Sequence, residues 1–206
     1  MTSRRAKLGE LMEELKQRIK AEGQNLGDGI LKIDSLLNHQ IDVGLIMRCG
    51  EELARRFANA GVTRILTAEV SGIAPAFATA YVMGVPLIYA RKVKPVTMYG
   101  PVYLETAPSH TKGMDVQLLV SAEFLPGEDR ILIVDDFLAS GKTLRSLARM
   151  VRSAKSELVG IACVVEKSFE GGRKALEHYN VPIEALATII SMDNGQIVFL
   201  DETITK

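Results

Sequence analysis

The residues from Ile131 to Thr143, ILIVDDFLASGKT, carry the densest chemistry in this chain. An apolar run ends in two adjacent carboxylates, Asp135 and Asp136. A turn of small and polar residues follows, Ala139 to Thr143, and then a helical pattern. Open α/β sheets bind ligands at the carboxyl ends of their strands. Ala139, Ser140 and Gly141 let the backbone approach a guest closely. The amides from Ser140 to Thr143 can face an anion at a helix amino terminus, where the macrodipole favours negative charge. The hydroxyls of Ser140 and Thr143 add donors. Asp135 and Asp136 accept hydrogen bonds from sugar hydroxyls, and their charge favours a ribosyl carbon that turns cationic in a transition state. A sugar monophosphate fits this pattern.

Gly141-Lys142-Thr143 invites comparison with a triphosphate-binding loop, and the spacing rejects it. That motif needs a glycine five residues before its Gly-Lys pair. Position 136 holds an aspartate, and two carboxylates ahead of a phosphate cradle repel a triphosphate.

The flanking elements set the context. Leu8, Leu11, Met12, Leu15 and Ile19 recur at helical spacing, so residues 1–23 read as an amphipathic helix packed on the domain or on a partner. Residues 24–41 are mixed in polarity and are expected to form a small cap. Asp42 is placed to N-cap a second helix that ends before Gly61. Arg64–Ala68 and Val85–Ala90 read as strands, with a helix from Ile73 to Met83 between them. That alternation predicts a parallel sheet with crossover helices. Residues 91–115 break the rhythm with three prolines and two glycines, and read as an irregular hairpin arm and a functional loop. Ile131–Asp135, Leu158–Val165, Ile183–Ile190 and Gln196–Leu200 are the remaining strands expected.

Composition narrows the classes. The chain has 206 residues and 47% apolar residues, enough for one well-packed domain. Twenty-five basic residues balance 25 acidic ones, so the basic excess of a nucleic-acid binder is missing. Of two cysteines, Cys163 sits in an apolar run and reads as a buried thiol. No apolar stretch approaches a membrane span, and the amino terminus lacks a secretory pattern, so a cytoplasmic protein is expected.

Taken together, ILIVDDFLASGKT resembles the phosphoribosyl-pyrophosphate (PRPP) motif of the type I phosphoribosyltransferase family. Glu69-Val-Ser-Gly-Ile-Ala-Pro75 resembles that family's pyrophosphate loop. Arg91-Lys92 matches its basic pair, and residues 97–115 its flexible catalytic loop. Further segments, LKIDSLLNHQID, VPLIYARK and VVEKSF, are most similar to the Gram-positive members that use xanthine.

The resemblance implies one domain over residues 1–206 with an α/β fold. A parallel sheet flanked by helices would carry a small hood, from residues 24–41 and the carboxyl-terminal strands, and a flexible loop. It implies transfer of the phosphoribosyl group of PRPP to xanthine, with Mg²⁺ carried on the substrate and no direct protein metal ligand, by a homodimer. Ala139, Ser140, Gly141, Lys142 and Thr143 would hold the 5′-phosphate, and Asp135 and Asp136 the ribose. Ser71 and Gly72 would offer amides to pyrophosphate, with Gly72 easing a strained backbone. Arg91 or Lys92, from either subunit, and loop residues Ser109, Thr111 and Lys112 would add donors or charge there. Leu31, Asn38 and Lys167 would contact the base, and Phe137 would stack on it. Lysine suits an oxo group, and an amide offers both donor and acceptor. His39 and His110 are not needed as proton shuttles, and His178 is expected at the surface. Two rivals remain: an adenine phosphoribosyltransferase, and a PRPP-sensing operon regulator. The regulator needs a winged-helix domain, for which the roughly 40 residues before the core are too few.

Overall fold

The computed structural model describes residues 2–108 and 115–203. Helix α1, Thr2–Glu22, buries Leu11, Leu15 and Ile19 against the domain's own core. Ion pairs from Arg18 to Asp42 and from Arg48 to Glu14 fix its position over the next helix. A short antiparallel hairpin follows, β1 (Gln24–Asn25) with β2 (Leu31–Lys32). Its turn holds Gly27, Asp28 and Gly29 at positive φ, and a π-helical turn spans Asp34–Asn38. Residues expected to be irregular thus form a compact unit, tied to the carboxyl-terminal region where Asn25 donates to Met192 O.

Helix α2 (Val43–Arg56) starts where Asp42 accepts from Leu45 N at 3.0 Å, as its cap position predicts. Strand β3 (Arg64–Ala68), helix α3 (Ile73–Met83, capped by Gly84 at φ 68°) and strand β4 (Leu87–Ala90) follow the predicted alternation. Pro86 shortens the expected second strand, since it has no N–H to give a ladder. Strands β5 (Val102–Pro108) and β6 (Asp115–Ser121) pair antiparallel as an arm outside the main sheet. Strand β7 (Arg130–Leu138), helix α4 (Lys142–Ser153), strand β8 (Glu157–Lys167), helix α5 (Gly172–Leu176), and strands β9 (Ile183–Ser191) and β10 (Val198–Phe199) complete the chain.

The six-stranded sheet runs β10-β9-β8-β7-β3-β4, parallel except for the edge strand β10. Helices α1, α2 and α3 cover one face and α4 the other, each over its own apolar cluster. Ile131, Leu132, Ile133 and Val134 are fully buried, as expected of a central parallel strand covered on both faces. Strand β7 does not stop at Asp135. It runs through both aspartates to Leu138, which pairs with Glu166 of β8. Charge suggests an end there, but both carboxylates are buried and Leu138 returns to the core.

Among the described residues, no helix is long and apolar enough to cross a membrane. Cys49 and Cys163 are both buried and unbridged.

Candidate active site

The two aspartates share one enclosed spot at the carboxyl end of the sheet. Asp136 N donates to Asp135 Oδ1 at 3.0 Å. Burial, and next the adjacent Asp136 carboxylate, push the Asp135 carboxyl well above the ordinary carboxylate range. Lys92 acts the other way, so its charge reaches the acid pair. The segment Glu69–Gly72 turns directly above, leading into α3. A Cβ at Gly72 would run into Asp135 Oδ1 and Thr67 Oγ1. The expected reason for glycine therefore changes. Gly72 has φ −65° and ψ −19°, an ordinary helical conformation. Space, not backbone strain, excludes a side chain. Thr67 Oγ1 is buried there and makes no hydrogen bond.

The phosphate turn is built from both sides. Gly141 adopts φ 74° and caps α4, which only glycine does at little cost. Gly172, opening α5, lies against it, and a Cβ at Gly172 would strike Ala139 O and Gly141 N. Arg173 then anchors α5. Its guanidinium donates to both carboxylate oxygens of buried Glu166, at 2.9 and 2.6 Å, and to Ile183 O at 2.8 Å. Sequence reasoning missed this support, because Gly172 and Arg173 stand about thirty residues from the turn they prop. Ser140, Lys142 and Thr143 are half-buried at the start of α4, within reach of a guest.

The basic pair is divided by the fold. Lys92 N donates to Glu69 Oε1 at 2.6 Å, which ties this segment to the loop above the aspartates. Arg91 instead lines a cavity of about 620 Å³ with Tyr99 and Phe124, its guanidinium 5.9 Å from the Tyr89 ring centroid. Its Nε stands 3.7 Å from Glu69 Oε2, the other oxygen of the same carboxylate. Glu69 belongs to the loop segment that the sequence singled out, but its tie to Lys92 was not read from spacing.

The expected base contacts fall into two groups. Leu31 belongs to the core cluster whose edge holds Phe137. Lys167 Nζ stands 5.8 Å from the Phe137 ring centroid and donates to Gly29 O at 2.8 Å. Asn38 is exposed and lines a different apolar cavity of about 470 Å³, with Ser71, Ile41 and Phe77. It thus stands beside the pyrophosphate-loop candidates. His39 lines the same cavity and is exposed. Ser109, His110, Thr111 and Lys112 lie outside the described residues.

Among the described residues, no group of three or more His, Cys, Asp or Glu side chains is arranged to hold a metal ion. The adjacent Asp135 and Asp136 supply hard oxygen donors, which suit a divalent cation arriving on substrate oxygens.

This geometry agrees with the relationships of the chain. The model of the phosphoribosyl transferase domain matches residues 32–199. Xanthine phosphoribosyltransferase of Deinococcus deserti is 51% identical over 184 residues, covering 89% of this chain and 95% of that protein. The protein of that name from Lactobacillus delbrueckii subsp. bulgaricus is 47% identical, covering 91% and 100%. Among solved structures, adenine phosphoribosyltransferase from Thermoanaerobacter pseudethanolicus superposes with a TM-score of 0.71 at 24% identity, over 86% of this chain and 99% of that one. The Giardia lamblia enzyme gives 0.71 at 18%, over 84% and 97%. At these identities the likeness speaks for the fold. The chain belongs to the phosphoribosyl transferase domain family.

Proposed function

We propose that this protein transfers the 5-phosphoribosyl group of PRPP to xanthine, giving xanthosine 5′-monophosphate and pyrophosphate in purine salvage. The observation that carries this reading is the 51% identity to a xanthine phosphoribosyltransferase across 89% of the chain. The site supports it. The turn from Ala139 to Thr143 receives the 5′-phosphate on backbone amides. Asp135 and Asp136 accept from the ribose hydroxyls and face the anomeric carbon as positive charge develops there. Ser71 and Gly72 present the pyrophosphate loop, and Lys92 brings a cation to it. Mg²⁺ would be carried on PRPP oxygens beside Asp135 and Asp136, and would supply charge neutralisation to the departing pyrophosphate. Phe137, Leu31 and Lys167 hold the base, Asn38 adds an amide from the loop side, and Ser109, Thr111 and Lys112 complete the closure. Residues 24–41 and the carboxyl-terminal strands serve as the hood.

The protein works as a cytoplasmic homodimer in this reading. Helix α3 is apolar even on its outer face, where Phe77 and Tyr81 stack at 6.5 Å and stand exposed. Such a face calls for a covering surface. A monomer in sedimentation at micromolar concentration would contradict the dimer.

The test of activity is direct. Protein, PRPP, Mg²⁺ and xanthine should yield xanthosine 5′-monophosphate and pyrophosphate in equal amounts by mass spectrometry and a coupled assay. Equal-molar release of pyrophosphate with adenosine 5′-monophosphate from adenine, and none from xanthine, would overturn it.

A further inference from the structure

Thr67 lies near the end of β3 with its whole surface buried. Its neighbours Leu66 and Ala68 belong to the apolar cluster under α4, while Ile65, two residues before it, belongs to the cluster under α3. Side chains alternate along a strand, so Thr67 stands on the α3 face. A β-branched residue suits a strand, and valine would offer the same shape with no polar atom. The hydroxyl is therefore the feature to explain. Among the described residues Thr67 Oγ1 has no hydrogen-bond partner, and burying an unpaired hydroxyl costs stability.

That hydroxyl faces the acid pair. A Cβ at Gly72 would collide with Thr67 Oγ1 and Asp135 Oδ1 together, with Ala68 O next nearest at 3.2 Å. The hydroxyl and the carboxylate thus converge on the gap that the glycine leaves open. Asp135 Oδ1 accepts from Asp136 N at 3.0 Å, and a carboxylate oxygen can accept a second bond. An idle donor and an acceptor with spare capacity stand on either side of one small space.

We propose that Thr67 is a positioning residue for the transfer: when PRPP binds, its hydroxyl donates to Asp135 Oδ1, so that two donors hold Oδ1 and Oδ2 is aimed at the ribose. The proposal rests on the reading of Asp135 as an acceptor for the ribose hydroxyls. Thr67 acts through Asp135 and does not touch the substrate. The cost of the idle hydroxyl in the free protein is offset when this bond forms.

The test compares Thr67→Val, which keeps the shape and removes the hydroxyl, with Thr67→Ser, which keeps the hydroxyl and removes a methyl. Melting without ligand and with Mg²⁺ and PRPP is read beside steady-state kinetics. Without ligand, Thr67→Val melts at or above the wild type and Thr67→Ser melts below it. Function runs in the opposite order. In Thr67→Val the KM for PRPP rises about tenfold, the worth of one hydrogen bond, kcat falls several-fold and the KM for xanthine is little changed. The rise in Tm that PRPP gives shrinks in the same variant. Thr67→Ser recovers most of each loss. Wild-type PRPP kinetics in Thr67→Val overturn the proposal. So does a Thr67→Ser as impaired as Thr67→Val, which assigns the effect to shape. A Thr67→Val that melts below Thr67→Ser overturns it too, because the hydroxyl then has a structural partner in the free protein. Failure of the parent reading is seen separately, as an Asp135→Asn protein with the wild-type KM for PRPP.

Discussion

Gly72 and Asp135 are packed so closely that a single added carbon at the glycine would strike the carboxylate. The loop assigned to pyrophosphate and the acid assigned to ribose are therefore one mechanical unit. Gly72→Ala must displace one of them. We expect a loss of stability of about 1–3 kcal/mol, typical of overpacking, and a rise in KM for PRPP larger than that for xanthine. Thermal melts and steady-state kinetics check both.

Asp135 should cost stability as pH rises. Its carboxyl is raised in the folded protein, first by burial and then by Asp136, above the ordinary value of 3.8. The folded state therefore holds a proton that the unfolded chain releases. Its contribution is complete below the unfolded value and is lost as pH rises through the folded one. Asp135→Asn removes that loss. The variant should gain Tm relative to wild type as pH rises above the ordinary carboxylate range, about 2–4 °C for each kcal/mol relieved. A Tm difference that shrinks with rising pH would show the opposite sign.

Asp136→Asn should cripple turnover. Removing a charge aimed at a developing cation costs about 10²–10³ in kcat by analogy with other preorganised electrostatic groups. Folding should survive, because the Asp136 N–H to Asp135 Oδ1 bond is a backbone one. Kinetics beside a near-UV circular dichroism spectrum separate the two effects.

Arg173→Lys tests the support beneath the phosphate turn. Lysine cannot reproduce the two-pronged contact with Glu166 and the bond to Ile183 O. Glu166 is 2% exposed, so its charge is left poorly matched. We expect a destabilisation of about 2–4 kcal/mol, together with a several-fold higher KM for PRPP. An unchanged PRPP KM would confine Arg173 to a structural role.

Much of this was legible in the sequence where local rules act alone. The cap at Asp42, the strand from Arg64 to Ala68 and the helix from Ile73 to Met83 fall where spacing and capping place them. The end of β7 was not legible, because hydropathy stops at the aspartates while their burial depends on strands on either side. The role of Gly72 was likewise hidden. Its neighbour Asp135 is distant in sequence, and only the fold brings the two together. Glu166 and Arg173 carry no motif of their own and gain meaning through contacts made across a turn and a helix.

The most direct measurement is a competition in which xanthine, hypoxanthine, guanine and adenine share one reaction with PRPP and Mg²⁺. Initial product ratios then give relative kcat/KM, in the wild type and in Lys167→Ala. The account predicts xanthosine 5′-monophosphate as the leading product, with that lead reduced in the variant. Faster formation of adenosine 5′-monophosphate by the wild type, or an identical product distribution in Lys167→Ala, would contradict it.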